Sequence, residues 1–241
     1  MRRTFACICV IGLLTLSASA WGLVSGPLTV KATSGSKIAT WTYQWVEGQG
    51  IYNLSAPVEL RSADNTLLGT LTSLNCGWQS DPVLTLNFAV QAVGETNFFF
   101  DSGLLSFPAV PDAVAFATAA VTLTTDAGGG TFTGNFAGGK AYQATLNNGA
   151  SVFANLDSTF SAPPDQSVIE TERKPAVGFE VIGGPVSSMR AQWDFTLSDG
   201  DGASGTSRYE LQAVPDANTL ALAFAGAVPL LMGVARRRRL A

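Results

Sequence analysis

Glu170 and Glu172 stand two residues apart, beside Arg173 and Lys174. Two carboxylates are the minimum equipment for glycoside hydrolysis. On a strand this spacing puts both on one side, with Cα atoms roughly 6.6–7 Å apart. Nothing in the neighbouring sequence desolvates either one, so a solvated, charged strand is the expectation. Asp199-Gly200-Asp201-Gly202 opens like a calcium loop, in which alternating carboxylates converge on a hard cation. Ala203 and Gly205 occupy the next alternate places and no closing Glu follows. A type I′-like hairpin tip is therefore expected, with no metal and no other cofactor. Histidine is absent from the chain, which removes Ser-His-Asp and Cys-His catalytic sets and histidine-ligated metals. Acid–base work would fall to Asp, Glu, Lys or Tyr. No enzymatic activity is expected, with a histidine-free glycosidase or lyase as the alternative.

Aromatic residues offer a second kind of chemistry, stacking on sugar rings. Trp41, Tyr43 and Trp45 alternate with Thr40, Thr42 and Gln44 and so share one face of a strand. Such a row could form a flat sugar platform, although core filling is the stronger expectation because each ring buries a large apolar area. Trp78 follows Gly77 and precedes Ser80-Asp81-Pro82 in an expected loop. With Trp45 it is the candidate sugar contact. The glycines at 128–130 and 138–139 mark hairpin turns; no Lys-Ser/Thr pair and no helix follow them to hold a phosphate.

The elements that must position these residues are strands. Period-two alternation recurs through residues 38–45, 83–92, 151–160, 189–197 and 204–213. Asn147-Asn148-Gly149 closes another arm, from Lys140 to Leu146, and a Thr/Ala/Val run covers 115–125. Turn residues interrupt these runs every 8 to 15 positions, and no convincing amphipathic helix lies between 21 and 213. The pattern indicates one all-β domain, a β-sandwich or jelly-roll-like fold. Proline-bearing joints at 108–111 and 161–165 are too short for flexible linkers.

Both ends read as targeting segments. Arg2 and Arg3 precede an apolar run from Phe5 to Leu16, and Ala18-Ser19-Ala20 forms an Ala-x-Ala site. Residues 1–20 are thus expected to be a signal peptide cleaved after Ala20. That leaves 21–213 as the exported domain and 214–241 as a tail. In the tail, 16 uncharged residues from Leu220 to Ala235 precede Arg236, Arg237, Arg238 and Arg239. As a helix the run would be roughly 24 Å long, just short of the bilayer core. An arginine cluster resists translocation and stays cytoplasmic.

With Val214-Pro215-Asp216-Ala217 leading it, the tail resembles the PEP-CTERM sorting signal of bacteria. That signal is a Val-Pro-Glu-Pro-like motif, an apolar helix and a terminal arginine cluster. Asp216 stands where the family has Glu, and Ala217 where it has a second Pro. The resemblance is confined to 214–241, with its motif at 214–218, its transmembrane helix at 219–235 and its arginines at 236–239. It implies processing by an exosortase-like membrane enzyme, then release to the cell surface or extracellular matrix. It also implies association with exopolysaccharide and biofilm.

Charge and cysteine content fit that placement. Residues 21–213 carry eight basic against seventeen acidic residues, a net charge near −9. Such a surface cannot neutralise phosphates, which excludes nucleic acid as a partner. Only Cys76 remains after leader removal, so core burial, with no internal disulfide, must hold the fold. The sequence therefore points to an exported, non-enzymatic surface or matrix protein, with a carbohydrate-binding module as the alternative.

Overall fold

The structure, a computed structural model, describes residues 23–214 apart from Glu47, Ser80 and Asp81. The expected leader with Ala18 and Ala20, the motif residues Pro215 and Asp216, and Arg236–Arg239 lie outside the described residues. Eighteen strands occupy this span. They are β1 (Leu23–Ser25), β2 (Leu28–Ser34), β3 (Lys37–Tyr43), β4 (Ile51–Asn53), β5 (Val58–Arg61), β6 (Leu67–Gln79), β7 (Val83–Ala92), β8 (Thr96–Asp101) and β9 (Leu104–Val110). They continue with β10 (Ala113–Thr124), β11 (Gly130–Gly134), β12 (Lys140–Leu146), β13 (Ser151–Ser158), β14 (Phe160–Ala162), β15 (Ser167–Lys174), β16 (Glu180–Val181), β17 (Val186–Leu197) and β18 (Gly202–Ala213). The described chain is all-β, and no helix in it is long and apolar enough to cross a membrane.

The strands form two antiparallel sheets. Sheet one, of ten strands, is built on β17, which is long enough to have two partners on each side. β9 and β8 follow one another along one flank, β12 and β11 along the other. β8 continues through β2 to the edge strand β3. Sheet two runs β15-β10-β18-β7-β6, with β4 and β5 pairing along the far side of β6 and β16 extending the line of β15.

Alternation buries one face of each long strand, as period two requires. Trp193, Phe195 and Leu197 of β17 are buried, as are Leu84, Leu86, Phe88 and Val90 of β7. Phe88 stacks on Phe100 and Phe195 at centroid distances of 4.3 and 5.4 Å, which fastens one sheet to the other. Burying such a ring stabilises the fold by roughly 1.5–3 kcal/mol. Trp193 Nε1 donates to Ser207 Oγ across the same interface at 3.2 Å. β10 presents small residues inward: Ala113, Ala115, Ala117 and Ala119 are all buried. They leave room for the Phe153–Tyr209 stack, Tyr209 lying beside Ala117 in register.

On the outward face of sheet two one polar rung crosses four strands. Asn53, Asn75, Asn87 and Thr206 line up in register across four strands. Asn75 Nδ2 donates to Asn53 Oδ1 at 2.5 Å, Asn87 Nδ2 to Asn75 Oδ1 at 2.9 Å, and the Thr206 hydroxyl to Asn87 Oδ1. The two ends of the described chain sit near β9. Leu23 pairs with Ser106, and the Val214 N–H donates to the Asp112 carbonyl at 2.8 Å, just past the end of β9.

Candidate functional site

The aromatic row lies where the edges of the two sheets meet. β3 is the edge of sheet one, and its alternation turns Trp41 and Tyr43 to the side of buried Ala39. Trp45 follows two residues later. From sheet two, β4 brings Tyr52, which pairs with Cys76 in β6. Tyr52 lies 4.1 Å from Tyr43 and 5.6 Å from Trp41 between centroids, and Trp45 meets Tyr43 edge-on at 5.9 Å. All four rings pack against the core yet remain only half-buried. Trp41, Tyr43 and Trp45 thus pack against the core, as expected of them, while staying partly exposed on and just after the edge strand β3.

Polar groups are fixed around these rings. Tyr43 Oη donates to Gln49 Oε1 at 2.6 Å, and Gln49 Nε2 donates to the Ile51 carbonyl at 2.9 Å. Trp45 Nε1 donates to the Ser102 carbonyl at 3.3 Å. Burial, with Tyr43 adding to it, holds the Tyr52 phenol above its ordinary pKa, so it stays an uncharged donor. Half-open rings with oriented amide and hydroxyl groups suit a ligand that is apolar on one face and hydroxylated at its rim.

No family model matches the chain, and no curated protein matches it. Two of the solved structures similar to it can be named, both at low scores. One is the C-terminal CBM6 of LamC, a marine laminarinase from Zobellia galactanivorans, at 11% identity and TM-score 0.20, over 66% of this chain and 99% of that one. The other is the infectious bursal disease virus Gx strain structure, at 9% identity and TM-score 0.26, over 82% and 72%. TM-scores this low support no inference from either structure.

Trp78 is not where its flanking residues suggested. It lies in β6, opposite Leu84, and is 8% exposed with its indole N–H buried and unpartnered. The strand runs on through Trp78 to Gln79. It presents no open face for stacking. Trp45 remains in the candidate site and Trp78 does not.

The two glutamates share one side of a strand as their spacing predicts, but they are less solvated than expected. Glu170 and Glu172 both lie half-buried on one side of β15, the side turned toward β13. Lys140 Nζ reaches Glu172 Oε1 at 2.5 Å, and Ser158 Oγ donates to the same oxygen at 2.9 Å. These donors hold Glu172 below the usual Glu range against its own burial. Beside them Asp157 is fully buried, and neither of its oxygens has a hydrogen-bond partner. Burial pushes its pKa up to about 8, with the Glu172 and Glu170 charges adding to the rise. A raised acid next to an ionised carboxylate has the electrostatics of a glycosidase pair, but Asp157 is sealed in the interior where no substrate oxygen reaches it.

Alternation alone assigned Asp157 to one side of β13 with Phe153 and Asn155. The chain departs from alternation twice. A register shift opposite Ala144–Thr145 leaves Phe153 as an extra residue, and Asp157 has φ +58°. Phe153 and Ala154 are consequently both buried, as are Leu156 and Asp157. The sequence carried no signal for this, since neither Gly nor Pro marks the bulge.

Asp199 and Asp201 are corrected in one respect. The turn they occupy joins β17 of sheet one to β18 of sheet two, so it is an arch between sheets, where a hairpin tip was expected. Asp199 Oδ1 accepts the Gly94 N–H at 2.7 Å, and Asp201 Oδ1 accepts the Asp126 N–H at 3.2 Å. Asp201 is fully buried, packed against Gly130 so closely that any side chain there would overlap its carboxylate. Burial is the main cause of its raised pKa. Among the described residues no His/Cys/Asp/Glu group is arranged to hold a metal ion. Asp101 is also structural: Gly103 N–H and Gln192 Nε2 donate to it, and Arg190 grips it with Nε and Nη2 at the joint between β8 and β9.

Proposed function

We propose that this chain is an exported, non-enzymatic surface or matrix protein whose sandwich holds polysaccharide at the Trp41–Tyr43–Trp45–Tyr52 edge. The observation that supports the binding role is that these four rings cluster across two sheet edges while staying half open. Sugar rings stack their C–H faces on such surfaces and take hydrogen bonds at the rim. Gln49 and the Tyr43 hydroxyl are placed to supply them.

Export is supported by the charged, apolar and Ala-x-Ala leader, and surface delivery by the PEP-CTERM-like tail from Val214. In this reading the leader starts translocation, the apolar run stops it, and Arg236–Arg239 keep the C-terminus inside. An exosortase-like enzyme then cuts near Val214-Pro215.

Two measurements test this. Retention of the protein on immobilised polysaccharide should fall at least tenfold in Trp45→Ala and remain unchanged in Ile169→Ala, an exposed site on sheet two. Equal retention of both variants would remove the edge as the binding site. Separately, the mass of the protein recovered from the cell surface should lack residues 1–20 and the segment beyond 215. An intact C-terminus would show that the tail is a permanent anchor.

A further inference from the structure

An apolar patch on the outer face of sheet two lies beside the point where the chain leaves the sandwich. Val181 of β16 pairs with Val114 of β10, and Val114 pairs with Gln212 of β18, so these three share one rung and one face. Val214 follows Gln212 by two residues, which places the exit next to that rung. Phe179 meets Phe116 edge-on at 5.0 Å on the same face. The exposures are those of unburied apolar residues: Val177 84%, Val181 75%, Val214 42% and Phe179 38%. Large apolar side chains concentrated at one spot mark an interaction surface, where scattered single ones do not.

The patch has a cationic margin. The Arg173 guanidinium lies 4.9 Å from the Phe116 ring centre, and its Nη2 donates to the Gly178 carbonyl at 2.9 Å, which pins the loop carrying Val177. Arg173 forms no ion pair among the described residues. Arg208 sits 6.0 Å from the same ring, already paired with Glu210. Valines and a phenylalanine at the centre, with a guanidinium at the rim, match acyl chains below and phosphates above at a bilayer surface.

The length of the tether decides the occupant. Only residues 215–219 separate Val214 from the apolar run that begins at Leu220. Fully extended, that stretch spans at most about 20 Å. With the run seated in lipid, whatever surrounds Val214 stays within about 20 Å of the membrane. We infer that the Val177–Phe179–Val181 face is a lipid-docking surface, which seats the sandwich on the outer leaflet while the tail is in place. This rests on the membrane-seated tail of the reading above, and goes beyond it by fixing which face meets the lipid.

The full-length mature chain is tested in phosphatidylcholine vesicles containing headgroup-nitroxide lipid. A fluorophore is placed at Val177→Cys or, as the reference, at Ile38→Cys on the edge of sheet one. Buried Cys76 stays unlabelled, its thiol pushed up to about 12 by burial. Flotation with the vesicles reports tail insertion independently. The expected result is co-flotation with strong quenching at 177, at least threefold that at 38, and loss of the difference on adding Phe179→Ser and Val181→Ser. Co-flotation with equal quenching at both positions overturns docking and leaves the tail reading intact. Failure to float overturns both. Self-quenching at 177 that rises with protein density, without nitroxide quenching, assigns the face to a second copy and overturns docking.

Discussion

Asp157 is a fully buried carboxyl in a left-handed backbone conformation, with a pKa raised chiefly by that burial. Its folded pKa of about 8 lies above the ordinary Asp value, so the native state keeps a proton that the unfolded chain releases. Stability linked to this group is complete below about pH 4 and falls as pH rises through 8, by on the order of 5 kcal/mol. Asp157→Asn carries no charge to shed, and Asn tolerates positive φ. Its melting temperature should therefore decline much less than the parent's between pH 4.5 and 8, as followed by circular dichroism; parallel declines would refute the assignment. Asp201, raised for the same reason, leaves a residual slope of the same sign. Cys76 is the other residue whose state the sequence left open. Fully buried beside Tyr52 in the same sheet, it should resist maleimide in the folded protein and react fully in denaturant. Rapid labelling of native protein would contradict its burial.

At the level of elements, the strands were legible because one buried face forces period two into the sequence. β12 covers the arm expected from Lys140 to Leu146, and the alternations at 83–92 and 189–197 lie within β7 and β17. What local spacing could not reveal was which sheet a strand joins. Asp199-Gly200 makes the same tight turn whether the chain doubles back or crosses to the other layer, and only the rings of β17 and β7 decide it. The bulge in β13 and the reach of β6 through Trp78 were hidden for a related reason: both depend on partners distant in sequence. Gly205 shows the same dependence. It lies opposite Phe88 in β7, whose ring occupies the space above it; a Cβ there would come within 2.5 Å of ring carbon. Gly205→Ala should cost about 1–3 kcal/mol by overpacking, whereas Gly183→Ala, with nothing within 4 Å, should cost almost nothing. Urea denaturation of the pair measures the contrast, and equal midpoints would argue against the Phe88 packing.

For the molecule as a whole, the candidate site was half legible. The Trp41–Tyr43–Trp45 row was visible as a row, but its exposure follows from β3 being an edge, and Tyr52 joins it from another sheet. One consequence of the ends lying near β9 remains. Ser106 and Asp112, which hold Leu23 and Val214, are six residues apart, a span of roughly 20 Å along a strand. Ends at the surface that a linker can bridge make a domain tolerant of re-splicing. A circular permutant that bridges 214 to 23 with a glycine-serine loop of about ten residues and opens at the Asn148-Gly149 turn should fold cooperatively, checked by a single sharp thermal transition. The sandwich would then behave as a cassette, able to be set into the loop of a host protein with its aromatic edge still facing outward.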